Sequence, residues 1–302
     1  MTTSELPLIS VVIPAYNYAH LLPRALDSVL GQLHENAELI VVDDGSTDDT
    51  LTVIADYKAR HPSIQVIAQA NAGAAAARNC GIARANGRYV LLLDADDELL
   101  SGALAALKAE VLAQPALGMV LGAQVSVYPD GRERLRLPSK LPNAKPRELI
   151  RRYLLQKRIS ISHCCSLFRR DLLLQRPYPQ HLRSGEDIAV FAYLLVSAPV
   201  VVIDQPLARI YKHADSLRHS RENEEEYALG MVEAVFGSLP AECQSLRKRY
   251  TAQRYLSLFR AAQQSSDCSA ARRFYYQAFC LSPLQALRWN YLRKALRLLF
   301  GG

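Results

Sequence analysis

The sequence predicts an α/β protein, a Rossmann-like, mainly parallel sheet flanked by helices, with a C-terminal helical appendage. Three observations carry that prediction. Short apolar, β-branched runs alternate with amphipathic stretches of helix length through the first hundred residues, the pattern of consecutive strand–helix units. The first, second and fourth runs are each followed at once by polar residues, and open α/β sheets bind ligands at the carboxyl ends of their strands. Beyond residue 216 helical spacing continues, with breaks near Leu239-Pro240, Ser265–Asp267 and Ser282-Pro283. The expected division is 1–216 for the α/β domain and 217–302 for a basic helical region. With 302 residues, half of them hydrophobic, the chain can build one large core and an appendage.

Taken in order, Leu8 to Ile13 is the first strand, closed by Pro14. Pro14-Ala15-Tyr16-Asn17 forms a turn that sets an aromatic ring just past the strand end. A helix over 21–33 follows from the spacing of Leu22, Ala25, Leu26, Val29, Leu30 and Leu33. The second strand, Glu38 to Val42, runs into Asp43-Asp44-Gly45-Ser46-Thr47-Asp48-Asp49-Thr50. Gly45 permits a tight turn there, and Ser46, Thr47 or Asp48 can cap the next helix. The acids do not alternate ahead of the glycine, so this is no EF-hand loop. A third strand, Ile64 to Ala68, leads into Asn71-Ala-Gly-Ala-Ala-Ala-Ala-Arg78-Asn-Cys-Gly81. That is a glycine-containing turn opening an alanine-rich helix, able to approach a diphosphate closely, with Arg78 in reach as a charged fork.

The fourth strand carries the chemistry. Tyr89 to Leu93 is wholly apolar, as suits a strand buried on both faces, and Asp94-Ala95-Asp96-Asp97 follows directly. In an extended chain Asp94 and Asp96 would point the same way. Two convergent carboxylates repel, and a divalent cation bridging them to a substrate phosphate relieves the repulsion. Asp97 and Glu98 have a plainer role open to them, as acids at the start of a helix from about Ser101. Neither Gly-x-Gly-x-x-Gly nor Gly-x-x-x-x-Gly-Lys-[Ser/Thr] occurs, which argues against dinucleotide enzymes and P-loop hydrolases.

These stretches together resemble the family 2 glycosyltransferases. The matching motifs are Val-Val-Ile-Pro-Ala-Tyr-Asn (11–17), Val-Val-Asp-Asp-Gly-Ser-Thr-Asp (41–48), Asn-x-Gly-x-x-x-Ala-Arg-Asn-x-Gly (71–81) and Leu-Asp-Ala-Asp-Asp (93–97). The resemblance covers about residues 7–215 and does not reach the tail. It implies the GT-A fold and inverting transfer of a sugar from a nucleoside-diphosphate sugar, with Mg²⁺ or Mn²⁺. Pro14, Ala15, Tyr16 and Asp44 would then hold base and ribose, within a donor-binding set that also takes in Asn17, Asn71, Arg78, Asp94, Ala95 and Asp96. Asp94 and Asp96 would be the Asp-x-Asp pair, with Asp96 as the direct metal ligand.

Further along, a helix to about Leu112 and a strand over 118–128 precede the Pro129-Asp130-Gly131 turn. Residues 132–147 are basic and interrupted by Pro138, Pro142 and Pro146, and read as a surface loop that either borders the acceptor or merely connects. Ser160 to Phe168 reads as a strand. Ser184-Gly185-Glu186-Asp187 opens an apolar helix. Acids are ordinary at a helix start, but the resemblance implies an acceptor site here, with Asp187 as general base and Glu186 as acceptor ligand or orienting group. Inversion needs one base facing the attacking hydroxyl. His213 lies in a Tyr-x-His-x-x-Ser stretch similar to a loop that closes over the diphosphate in some relatives, where it would meet metal or phosphate; otherwise it is a solvated loop histidine.

Charge is uneven. Residues 241–302 carry eleven Lys/Arg against Glu242 and Asp267, a net of +9, while the whole chain is +7, leaving −2 for residues 1–240. The basic balance therefore belongs to the tail and does not mark the α/β part as a nucleic-acid binder. On a helix from Pro283, the side chains of Leu284, Leu287, Tyr291, Leu292, Ala295, Leu298 and Leu299 gather on one face, with Arg293, Lys294 and Arg297 opposite. Such a helix either packs on the protein or lies in an anionic membrane interface. No apolar run reaches the ~20 residues of a membrane span, and the start Met-Thr-Thr-Ser-Glu-Leu-Pro has no signal-peptide character. Six cysteines without Cys-x-x-Cys spacing read as reduced thiols. His163-Cys164-Cys165 is rejected as a metal site because adjacent strand residues face opposite ways. The expectation is a cytoplasmic enzyme, peripheral on the inner membrane face, acting on a glycan or glycolipid acceptor; its oligomeric state is open. The competing readings are an inactive sugar-nucleotide-binding relative, which loss of Asp96 or Asp187 would mark, and a sugar nucleotidyltransferase, which would need a Gly-rich basic loop after the first strand.

Overall fold

The structure, a computed structural model, describes residues 7–33, 36–182, 184–212 and 223–300, with the backbone alone at 299 and 300. In chain order the elements are β1 (Ile9–Ala15), α1 (Leu22–Leu30), β2 (Ala37–Asp43), α2 (Thr50–Arg60), β3 (Gln65–Ala68), α3 (Ala74–Arg84), β4 (Tyr89–Leu92), β5 (Glu98–Leu99), α4 (Ala103–Ala113), β6 (Met119–Val127), β7 (Glu133–Arg136), α5 (Pro146–Ile150), β8 (Ser166–Arg169), α6 (Arg170–Gln175), α7 (Glu186–Ser197) and β9 (Val200–Tyr211). Five helices of the C-terminal part follow: α8 (Glu224–Phe236), α9 (Arg247–Gln264), α10 (Cys268–Leu281), α11 (Pro283–Ala286) and α12 (Trp289–Phe300). The chain folds as two compact units, one comprising Met1–Pro142, Ile159–His181 and Tyr193–Leu217, the other Asn143–Arg158, Leu182–Ala192 and Arg218–Gly302. The helical unit thus takes in two segments that precede residue 216 in sequence.

The first unit is a mixed sheet in the order β3-β2-β1-β4-β8-β6-β9-β5, with β7 paired to β6. The β3-β2-β1-β4 half is parallel, as expected from its strand–helix alternation. β8 runs antiparallel to both β4 and β6. Every residue of β4 is fully buried, and Tyr89 satisfies its hydroxyl by donating to the Leu117 carbonyl at 3.2 Å. On α3, Gly81 lies so close to the sheet that a Cβ would come within 2.3 Å of Val12 Cγ1. That explains the glycine in the Asn-x-Gly…Arg-Asn-x-Gly motif by packing.

The strand β1 does not stop at Pro14. Its ladder to β2 runs on to Ala15 opposite Asp43, and the Asp44 amide donates to the Ala15 carbonyl at 2.9 Å. Val12 and Pro14 face the other neighbour, β4, whose pairing with β1 ends at Val12–Leu92. The missing N–H of Pro14 therefore falls where no ladder remains to be broken. Residues 132–147 are not all loop, since β7 folds back on β6 around Gly131, which adopts φ +79°. Of the strand expected over 160–168, only the end from Ser166 forms.

In the helical unit, Tyr255, Phe259, Phe274, Ala278 and Ala295 form a separate core, with Tyr291 and Leu298 packed against it. Asp267 caps α10, accepting from the Ala270 amide at 3.0 Å. The amphipathic helix expected from Pro283 is divided between α11 and α12. Its apolar stripe at Tyr291, Ala295 and Leu298 turns into the core and is unavailable to a lipid surface; Leu284 and Leu287 are left outside. Among the described residues no helix is long and apolar enough to cross a membrane.

Candidate active site

Because β2, β1 and β4 are adjacent and parallel, their carboxyl ends lie side by side. Tyr16 is exposed past β1, while Ala15 is buried. Asn17 takes a left-handed conformation, φ 57°, which Asn tolerates better than most residues. Its side-chain oxygen accepts from the Thr47 amide at 2.8 Å, and its own amide donates to Ser46 Oγ at 3.0 Å. The Tyr18 amide donates to Thr50 Oγ1 at 3.0 Å. So Asn17 ties the loop after β1 to the loop after β2.

Asp44 is almost wholly buried, and its carboxylate accepts from the Ala72 and Gly73 amides at 2.9 and 2.8 Å and from Gln69 Nε2 at 2.7 Å. It fixes the entry to α3, where Asn71 is exposed. Neighbouring Asp43 accepts from the Gly45 and Ser46 amides, both at 3.2 Å. Its other oxygen is buried with no hydrogen-bond partner among the described residues. Gly45 is required here: at φ +72° a Cβ would stand 2.7 Å from the Asn71 nitrogen.

After β4 the chain does not stay extended. The Asp97 amide donates to the Asp94 carbonyl at 3.1 Å, so 94–97 is a turn, and the alternation argument for Asp94 and Asp96 fails. What the turn gathers instead is Asp94, Asp97 and Cys164, whose ligand atoms lie within 4.8 Å of one another. The Cys164 thiol donates to Asp97 Oδ2 at 3.1 Å. Asp97 is therefore no helix-start acid, and β5 separates it from α4. Burial pushes its carboxyl up to about 7, with the negative charges of Asp94 and Asp96 adding to the rise and the Cys164 bond opposing it. Burial acts on Asp94 in the same sense but loses to the Arg78 guanidinium at 3.1 Å, which holds this carboxyl below its usual value. Burial also keeps Cys164 a thiol well above neutral pH, so it serves as a donor. Ala95 is buried and the Asp96 side chain half-buried beside this group.

Two partners of the turn carry no motif. Arg24, from α1, donates through Nη2 to the backbone carbonyl of Asp96, and its guanidinium lies 3.5 Å from the centre of the Tyr211 ring. The Tyr211 amide donates to Asp97 Oδ1 at 2.9 Å, and Arg209 pairs with Glu98 at 3.0 Å. The end of β9 and α1 thus hold the acidic turn from two sides. Sequence gave one usable signal, a charged Arg24 between apolar helix positions. On the other flank, His163 shares a 2.9 Å hydrogen bond with the Tyr178 hydroxyl. Burial, reinforced by Arg78, lowers His163 to about 3, so it is neutral at pH 7. Asn79 fixes Tyr178 by exchanging two 2.8 Å bonds with its backbone. The sequence argument against a joint His163-Cys164-Cys165 site assumed a strand, but β8 begins only at Ser166; the turn at 163–165 sends Cys165 towards Gln124 and makes Cys164 a partner of the acids.

Glu186 and Asp187 stand in the first turn of α7. Ahead of them Gly185 adopts φ +73°, and a Cβ there would meet Met231 Cε at 2.4 Å. Gly185 is thus needed twice, for its conformation and for close packing. His213 lies outside the described residues.

The acidic turn fits a divalent cation: it crowds oxygen donors so that the charge of its neighbours helps keep Asp97 protonated near neutrality. A profile of the family described as Glycosyl transferase family 2 matches residues 10–176. The chain is 37% identical over 127 residues to a chondroitin synthase of Pasteurella multocida (strain Pm70), a match covering 42% of this chain and 13% of that protein. It spans only a small part of such relatives. Among solved structures, S. aureus TarS 1-349 in complex with UDP-GlcNAc superposes with a TM-score of 0.69 at 21% identity, over 96% of this chain and 90% of that one. A mannosyltransferase from Pyrobaculum calidifontis, solved with GDP-Man and Mn2+, gives 0.53 at 18% identity, over 98% and 85%. These two likenesses establish the GT-A fold. With the family profile spanning more than half of the residues, and the carboxylate turn at the end of the parallel strands, the chain belongs to glycosyl transferase family 2.

Proposed function

We propose that this glycosyltransferase moves a sugar from a nucleoside-diphosphate sugar to a hydroxyl of a cell-envelope glycan acceptor, lipopolysaccharide-type or lipid-linked, with inversion in a single displacement. The observation that carries the reading is the acidic turn 94–97, set at the carboxyl ends of parallel strands and pinned by Arg24, Arg78 and Tyr211. A nucleotide-sugar donor is supported by the ligands of the two structural neighbours, and a glycan acceptor by the synthase relative. In this reading Pro14, Ala15, Tyr16 and Asp44 hold the base and ribose, with Asn17 in the wider donor-binding set, and Asp44 also anchors the loop carrying Asn71. Asp96 and Asp94 would hold Mg²⁺ or Mn²⁺, with His213 a further candidate ligand. The bound cation supplies positive charge to the diphosphate, so the leaving group needs no protein acid. Asp187 takes the proton from the attacking hydroxyl as its oxygen bonds to the anomeric carbon, and Glu186 orients that acceptor. In this reading the donor and acceptor residues all fall within 1–216, with Glu186 and Asp187 on the segment Leu182–Ala192 that belongs to the helical unit, 217–302 form a helical part, and the enzyme works in the cytoplasm at the inner membrane face.

A screen of nucleotide sugars for release of free nucleoside diphosphate tests the reading. One or more donors should turn over in the presence of Mg²⁺ or Mn²⁺ and stop with excess chelator. Turnover of none, with the diphosphate still bound tightly, would make the chain an inactive binding relative.

A further inference from the structure

The three last helices expose what a folded protein ordinarily hides. Leu284 is 86% exposed, Trp289 71% and Tyr276 65%, and Phe279, Leu287 and Leu296 are open as well. Between α10 and α12 runs a groove of about 330 Å³, lined by Phe259, Tyr275, Tyr276, Phe279 and Leu298, with Arg272 the charged member. Scattered apolar side chains on a surface mean little, but here Tyr276 and Phe279 line the groove, and Leu284, Leu287, Trp289 and Leu296 are exposed on or between the next two helices, a concentration that points to an interaction site. The charge around it narrows the partner. From Cys268 to Phe300 there are six basic residues and no Asp or Glu. Arg288, Arg293 and Arg297 are exposed beside Trp289 and Leu296. Trp and Tyr with arginines between them match the boundary of a bilayer, where rings sit at headgroup depth and guanidinium groups reach the phosphates.

We propose that this face of α10, α11 and α12 docks on an anionic phospholipid bilayer, with Trp289, Leu284 and Phe279 as its apolar anchors and Arg288, Arg293 and Arg297 on the headgroups. A second copy of the chain is disfavoured by charge: a two-fold contact would bring together two patches that carry basic and no acidic residues. Of the occupied stripe of α12, Ala295 and Leu298 border the groove and Tyr291 takes no part. The docking deepens the acceptor reading above, because a lipid-linked acceptor lies at such a surface, but it does not depend on catalysis.

Trp289 is the single tryptophan of the chain, so its fluorescence reports on this face alone. Added to vesicles of phosphatidylglycerol and phosphatidylcholine at low salt, the intact protein should float with the vesicles. Its emission should shift to shorter wavelength and be quenched by lipids brominated in the acyl chain. Pure phosphatidylcholine should do much less, and salt should weaken the effect. Replacing Arg288, Arg293 and Arg297 together by Gln should weaken binding roughly a hundredfold or more. Leu284→Ser, at a side chain 86% exposed, should weaken acyl-chain quenching while leaving thermal unfolding unchanged. No flotation on anionic vesicles at low salt overturns the proposal. So does an emission shift that follows protein concentration without lipid, which would assign the face to a second copy. The assay contains no sugar nucleotide, so its failure is distinct from failure of the transferase reading.

Discussion

At the carboxyl edge of β1, β2 and β4 the protein buries Asp43, Asp44 and Asp97, while on α10–α12 it exposes Tyr276, Phe279, Leu284 and Trp289. Both regions invert the ordinary partition of side chains, in opposite directions. A buried carboxylate loses its hydration and needs donors in return. Asp44 has three, Asp94 has Arg78, and Asp97 settles its charge by keeping a proton up to about pH 7. The exposed rings stand open among the described residues. The first inversion is thus resolved internally, through a web drawn from α1, α3, β9 and the loop before β8, whereas the second awaits something outside. On the proposals above, the first region would take a small charged ligand and the second an extended bilayer surface with anionic headgroups.

The comparison can be broken at several points, and the largest effect concerns transfer itself. Asp187→Asn should lower transfer by about 10³-fold, the scale of a lost general base. Donor affinity should be nearly intact, because the amide keeps the shape of the carboxylate. Next, Asp96→Asn should lower turnover by about 10²-fold, as for one lost charged stabiliser of a developing anion. Steady-state rates with one identified donor check both, and full activity of either variant would remove that residue from the proposed chemistry.

A stability experiment sharpens the buried side. His163 has its proton affinity lowered by burial, to about 3 against an ordinary 6.5. The unfolded chain therefore binds the proton first. The stability tied to neutral His163 is fully present above about pH 6.5 and is lost as pH falls towards 3. Between pH 7 and pH 5 that is about 2 kcal/mol. Urea unfolding at the two pH values should show wild type losing about 2 kcal/mol more than His163→Gln. Equal losses would mean that His163 titrates normally.

The smallest effect tests the positioning web. Arg24→Ala removes the donor to the Asp96 carbonyl and the cover over Tyr211. Turnover should drop about tenfold, and half-saturation by Mn²⁺ should need more metal. Arg24→Lys should not restore it, because an ammonium lacks the planar fork that reaches the carbonyl while lying on the ring. A change in thermal stability alone, with the metal requirement unmoved, would reduce Arg24 to packing.

What was legible in the sequence follows the same divide. Strand ends and acids are local features, so Asp94 and Asp96 could be singled out from runs and spacing, whereas Asp44 was singled out by the family resemblance. The turn at 94–97 was misread as extended because its i to i+3 bond depends on no special residue type. Arg24, Cys164 and Tyr211 lie 72, 70 and 114 positions from their partners in the turn, and no periodicity joins residues so far apart. In the tail, amphipathic spacing located the helices and left open whether their apolar face packs on the protein or meets a membrane; Tyr291, Ala295 and Leu298 pack, while Leu284 and Leu287 are exposed. Tyr291, Ala295 and Leu298 meet Phe259 only in three dimensions, and the kink at Leu287–Arg288 rotates Leu284 away from them.

The central claim is that the turn at Asp94–Asp97 holds the donor through a metal while Asp187 serves the acceptor. Calorimetric titration of nucleoside diphosphate, with Mn²⁺ and with chelator, addresses it on the wild type, Asp96→Asn and Asp187→Asn. The account predicts metal-dependent binding in wild type and Asp187→Asn, and binding without metal dependence, weaker by about 10²-fold, in Asp96→Asn. Equal affinity with and without metal in wild type, or a loss of donor binding in Asp187→Asn as large as in Asp96→Asn, would contradict it.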